Sequence, residues 1–151
     1  WNHYFQSFNA TLRSSYRYYH DDWEVNASTV TAEWAQELPQ GFTLTPNARY
    51  TTQSAASFYY DPVYDATLGA PFPPGYASNP NAFYTSDQRL SAFGGITLGV
   101  KLAKVFAEGW SVDGKAEYYE QRGDWRIGGD GSPGLQAFKA QLYQVGVNRK
   151  F

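Results

Sequence analysis

The chain has 151 residues and a formal charge of −2, with 12 basic and 14 acidic side chains spread along it, so it carries no electrostatic footprint for nucleic acid. It lacks cysteine, which excludes disulfide scaffolds, thiolate metal sites and cysteine nucleophiles, and its two histidines give no metal-ligand spacing. Aromatic residues reach 19% while mean hydropathy is only −0.55, and no apolar run approaches the roughly 18 residues of a membrane helix. Spanning strands escape that last test, because only every second residue of such a strand meets lipid.

Period-two alternation dominates the chain and predicts antiparallel strands. Between residues 4 and 20 the even positions include Tyr4, Phe8, Ala10, Leu12, Tyr16 and Tyr18, opposed by Asn9, Thr11, Arg13, Ser15 and Arg17. His20, Asp21 and Asp22 mark a turn, and a second strand is expected over 23–36. Its phase changes between Ala27 and Val30, which predicts a β-bulge near Ala27 to Thr29. A turn at Leu38 to Gly41 leads to a third strand over 42–57, where Phe42, Leu44, Pro46, Ala48 and Tyr50 share a face; Pro46 sits badly there, having no N–H for a ladder. Residues 58–87 lose all periodicity and gather prolines and aromatic rings, a long loop whose composition points to packed order and function. The strongest alternation follows over 88–103, a similar pattern runs over 110–121, a glycine-rich loop intervenes at 123–134, and a last strand is expected over 135–151.

Three features favour lipid over water outside this sheet. The strands run to about 12–15 residues, long for a globular sheet and sufficient for a tilted span. Large rings gather at strand ends, with Tyr16, Tyr18, Trp23, Tyr50, Tyr118 and Trp125 toward one side and Phe8, Trp34, Phe42, Phe106 and Trp110 toward the other, as interfacial girdles would. Connections alternate, with short turns near Pro39 and Ala107 opposite the long loops. The expected fold is all-β, an antiparallel up-and-down transmembrane β-barrel of which about six strands are present. Six cannot close a barrel, since single-chain bacterial barrels begin at about eight strands. The chain is therefore expected to be the closing part of a larger barrel, or else one subunit of an oligomeric one.

The segments Ser15 to Trp23 (SYRYYHDDW), Leu44 to Pro62 (LTPNARYTTQSAASFYYDP), Ser86 to Leu102 (SDQRLSAFGGITLGVKL) and Gly109 to Trp125 (GWSVDGKAEYYEQRGDW) together resemble an uncharacterised family of Gram-negative outer-membrane proteins carrying only a domain-of-unknown-function label. The resemblance spans nearly the whole chain. It implies a barrel fold and a place in the cell outer membrane, with this stretch similar to the carboxy-terminal part of longer members, and it carries no catalytic residues. The final strand, with Tyr143, Val145, Val147 and Phe151 on one face, resembles the assembly signal of such barrels; Arg149 departs from it.

On the face turned from lipid, Arg13, Arg17, Arg49, Arg89, Lys101 and Lys115 are candidate lumen-facing cations, able to attract anions or to pair internally with Asp113 and Glu117. Tyr59, Tyr60, Tyr64, Phe72, Tyr76, Phe83 and Tyr84 are candidates for docking a protein partner through the long loop, since rigid rings bind at low entropic cost. The cluster of His20, Asp21, Asp22 and Glu24 admits a surface-hydrolase reading but is better explained as a polar turn. The glycines at 128–134 lack the Lys-Ser or Lys-Thr of a phosphate loop, and the scattered aspartates lack calcium-loop spacing. The functional expectation is a channel, transport or export barrel of unknown substrate, not an enzyme and without a cofactor, whose partners are the lipid bilayer and, as a candidate, a protein at the outer loop; the alternative is a membrane scaffold docking a partner protein through that aromatic, proline-rich loop.

Overall fold

The alternating segments assemble into one sheet. In a computed structural model, residues 1–61, 83–106 and 109–150 are described. Seven strands follow one another: β1 (Asn2–Phe5), β2 (Ala10–His20), β3 (Asn26–Leu38), β4 (Phe42–Gln53), β5 (Phe93–Val105), β6 (Trp110–Arg122) and β7 (Phe138–Arg149). Each pairs antiparallel with the next, an up-and-down meander, and β1 does not pair with β7, so the sheet is open. The all-β class and the up-and-down order are as the alternation predicts. No helix among the described residues is long and apolar enough to cross a membrane, which has no bearing on strands.

Strand number and several boundaries differ from expectation, each for a local reason. The first segment is two strands. A 3₁₀ turn at Gln6–Phe8 and a left-handed Asn9 (φ 47°) reverse the chain, so that Phe5 faces Ala10 and Asn2 faces Arg13. The run of even positions from Tyr4 onward therefore breaks, and in β1 it is His3 and Phe5 that share a face with Leu12.

The bulge expected near Ala27 is absent: β2 and β3 pair without a slip from Ala10↔Gln36 to His20↔Asn26. The phase change arises because Trp23 to Val25 belong to the turn. Asp21 organises that turn, its carboxylate accepting from the amides of Trp23 and Val25 while its own amide donates to the Val25 carbonyl, with Glu24 at φ 64°.

Pro46 does lie inside β4. Pairing with β3 lapses at Trp34 and Ala35 and resumes in the same register at Gln36↔Leu44, while on the other side Pro46 faces Val100 of β5 in an unbroken ladder. A missing donor thus costs a local gap and no change of register. β5 begins at Phe93, because Gln88–Leu90 form a 3₁₀ turn capped by the Asp87 carboxylate on the Arg89 amide. The turn expected near Ala107 and the terminal Phe151 lie outside the described residues.

What little is fully buried lies mostly at the loop end of the sheet, where Val25, Ala56, Ser91, Ala92, Phe93 and Ser132 meet. Backbone bonds knit the loops there: Ser57 N–H to the Trp23 carbonyl, Ala56 to Leu90, and Ser132 to Ala92, whose own amide donates to the Ser132 hydroxyl. Glycine makes this closeness possible. A Cβ on Gly94 of β5 would stand 2.1 Å from the Trp125 carbonyl oxygen, and one on Gly131 would stand 1.9 Å from that of Gly123.

Candidate functional site: the two faces of the sheet

Because pairing registers are constant along each ladder, side chains sort by parity into two continuous faces. On the first face lie the even positions of β2 to β6 and the odd positions of β7. Its middle carries Leu12, Val30, Ala32, Ala48, Ile96, Leu98, Val100, Leu102, Val112, Ala116, Val145 and Val147. Among the described residues nothing packs on this middle stretch, where Val145 is 78% exposed, Leu98 54% and Val30 51%; at the loop end the Trp125 turn closes over Gly94 of the same face. Such a face spread over a whole sheet greatly exceeds the scattered apolar exposure of a water-soluble surface.

Rings bound this face. Tyr16, Tyr18, Tyr50 and Tyr118 stand toward the loop end, and Trp34, Phe42 and Trp110 toward the turn end. From Phe42 to Tyr50, and from Trp110 to Tyr118, the separation is eight residues, about 26 Å along the strand. Cations accompany the turn-end rings: the Lys104 ammonium lies 4.3 Å from the Phe42 ring centre and 5.1 Å from that of Phe106, and the Arg149 guanidinium 5.2 Å from that of Trp110. Four rings expected in the girdles stand off the strands, among them Phe106, which follows β5 and whose amide donates to the Trp110 carbonyl. Phe8 is in the 3₁₀ turn after β1, Trp23 is in the Asp21 turn with its ring 5.7 Å from that of Phe58, and Trp125 is in the 3₁₀ turn Gly123–Trp125 beneath Arg122.

The opposite face is polar. Five of the six basic candidates, Arg13, Arg17, Arg49, Lys101 and Lys115, lie on it, together with Glu33, Glu37, Asp113 and Glu117. Arg13 pairs with Glu33 at 2.7 Å and Lys115 with Glu117 at 2.9 Å. Acid and base nearly balance, which supports internal pairing over a uniformly basic lining. Arg89 is not on a strand at all; its guanidinium clamps Asp87 in the 3₁₀ turn before β5 and holds that carboxyl at about 2.

A cavity of about 260 Å³ on this side is lined by Glu33 of β3, Thr45 and Asn47 of β4, Lys101 of β5, Asp113 and Lys115 of β6, and Gln144 of β7. In a flat sheet β3 and β7 would stand about 19 Å apart, four strand spacings. Their meeting around one cavity shows the sheet curving with its polar face concave. Glycine lets neighbouring side chains lie along that concave wall: a Cβ on Gly99 would meet Glu117 and Asn47 within 3 Å, and one on Gly146 would stand 2.7 Å from the Asp113 carboxylate. Glu33, Asn47 and Gln144 were not among the sequence candidates. Their alternation with apolar neighbours was the available signal, but strand pairing was needed to bring them together.

The loop candidates divide. Tyr64, Phe72 and Tyr76 lie outside the described residues. Tyr59 and Thr85 form a bridge, the Tyr60 and Tyr84 rings meet edge to face at 5.3 Å, and Phe83 is 94% exposed. The Asp61 carboxylate accepts from the Tyr59 hydroxyl at 3.2 Å and from the Gly134 amide at 3.1 Å, tying this loop to the glycine-rich one. Burial, reinforced by the Asp61 charge, pushes the Tyr59 phenol up to about 12. His20 shares a hydrogen bond of 3.0 Å with the Asn26 side chain. Among the described residues, no group of three or more His, Asp or Glu side chains is placed to hold a metal.

A family described as "Protein of unknown function (DUF3570)" matches residues 1–142. The chain belongs to the DUF3570 family. No curated protein and no solved structure matches it. What the DUF3570 chain presents for function is thus its own geometry: an exposed apolar face bounded by rings, a concave polar face with paired charges, and a tied set of aromatic loops at one end.

Proposed function

We propose that this DUF3570 chain forms part of the wall of a transmembrane β-barrel in the outer membrane of a Gram-negative bacterium, a channel, transport or export barrel with its polar face turned inward. The observation that carries the reading is the unbroken apolar face across the sheet, exposed and bracketed by rings, opposite a concave polar face. Only lipid solvates such a face without cost, and polar-in with apolar-out is the arrangement of barrel walls. Eight residues between ring rows cover about 26 Å along a strand, or about 20 Å across the layer at a tilt of about 40°, close to the apolar band of about 25 Å that barrels present. The open edge of β7 cannot stand in hydrocarbon, so closure calls on strands beyond these seven, from the same chain or from further copies.

The test has two stages. The protein should partition with membranes after a high-salt wash and migrate as a compact, heat-modifiable band on gels; release by salt alone would overturn the membrane reading. Reconstituted in planar bilayers, the intact protein should give discrete conductance steps, and a tight seal would remove the channel. The exposed Phe83 beside the Tyr60–Tyr84 pair favours a second reading, a membrane scaffold that docks a protein through this loop. Phe83→Ala would then release a co-purifying protein while leaving membrane insertion intact.

A further inference from the structure

The apolar face is not uniform, and its relief and charge point to one occupant. Along β6 its middle residues are the smallest, Gly114 and Ala116, and a Cβ added at Gly114 would meet nothing within 4 Å. The register sets bulkier rows on both sides. Leu102 and Val100 of β5 face Gly114 and Ala116, and Val145 and Tyr143 of β7 face the same two residues from the other side. The rows stand about 10 Å apart, two strand spacings, with β6 as the floor between them. Toward the loop end the depression is a cavity of about 350 Å³ lined by Leu98, Val100, Ala116, Tyr118 and Tyr143 together with the polar Glu117 and Gln141.

Both rows end in a cation at the turn end. Lys104 is next on the β5 row after Leu102 and faces Val112 of β6, while Arg149 is next on the β7 row after Val147 and faces Trp110, so Val112 and Trp110 stand on the floor between the two cations. The Arg149 guanidinium lies over Trp110 and the Lys104 ammonium over Phe42 and Phe106, with no carboxylate paired to Lys104 among the described residues. An apolar groove with two cations beyond its turn end, past Val112 and Trp110, complements an amphiphile with an anionic head and an extended hydrocarbon tail. Charge near the head and length along β6 fix its polarity.

We infer that β5, β6 and β7 form a binding groove for one anionic phospholipid, its phosphate between Lys104 and Arg149 and an acyl chain along Gly114 and Ala116 toward Tyr118. The inference rests on the membrane reading above and goes further, because a generic interfacial belt needs neither the groove nor a preference among headgroups. The test uses native mass spectrometry of the full-length protein in detergent, offered equal amounts of phosphatidylglycerol and phosphatidylethanolamine. One phosphatidylglycerol should be retained in preference by about tenfold. Lys104→Gln with Arg149→Gln should erase the preference, and Gly114→Leu, which fills the floor and touches no charge, should weaken retention; Ala116→Leu serves if that variant loses its heat-modifiable band. Equal retention of the two lipids, or phosphatidylglycerol retention indifferent to the filled groove, overturns the site. A protein that partitions with membranes yet shows no preference sinks this inference alone, whereas one that needs no detergent sinks the membrane reading with it.

Discussion

At Gly94 the backbone of β5 meets the carbonyl of Trp125 so closely that a single methyl group has no room. Tyr50 secures the contact from β4 by donating its hydroxyl to that carbonyl, and Thr52 both donates to the Ile127 carbonyl and accepts from its amide. Gly94→Ala should therefore lower stability by about 1–3 kcal/mol through forced backbone movement, read as a lower unfolding temperature, while Gly114→Ala, facing open space, should be near neutral. Tyr59 gives a second prediction at this scale. Its phenol ionises near 12 when folded and near 10.0 in the open chain, so the folded state keeps a proton that the unfolded state loses. Stability attached to the tied loops is full below pH 10 and falls as pH rises from 10 toward 12. Tyr59→Phe should flatten that alkaline limb of the unfolding curve; an unchanged limb would assign it to other tyrosines.

Among the elements, β4 holds the most legible anomaly. Alternation places Pro46 on the apolar face of an interior strand, and the structure keeps it there at the expense of the pairing opposite Trp34 and Ala35. Pro46→Val restores a donor and suits the face, so an increase in stability of about 1 kcal/mol is expected in denaturant unfolding. The first element was the least legible. Tyr4, Gln6 and Phe8 continue the parity of Ala10 and Leu12 by coincidence, and the reversal rests on Asn9, whose short polar side chain tolerates a left-handed backbone and accepts from the Tyr4 hydroxyl at 3.2 Å. A lone Asn in an alternating stretch is a weak turn signal, which is why one strand was expected where two form.

For the whole molecule the deciding property is that one face is apolar over every strand from β2 to β7. On the proposed membrane reading, Val100→Arg at the middle of that face should cost about 2–4 kcal/mol and reduce the folded, heat-modifiable fraction. Thr31→Glu on the opposite face, paired across strands with Arg49, should leave that fraction unchanged. Equal tolerance of both changes would mean that both faces meet water.

The sequence by itself determined the strand class, the up-and-down order and the composition of the two faces, because a strand's side chains alternate with a fixed period and that period survives any tertiary arrangement. It also placed Arg13, Arg17, Arg49, Lys101 and Lys115 together on the polar side. Only the tertiary structure decided that Arg89 belongs to a turn with Asp87, that Trp23 and Trp125 leave the sheet, and that Glu33 and Gln144, far apart in sequence, line one concave cavity. It alone set Lys104 and Arg149 at the ends of two rows flanking the small residues of β6. Those relations depend on register between strands, which comes from turns and loop contacts that periodicity does not encode.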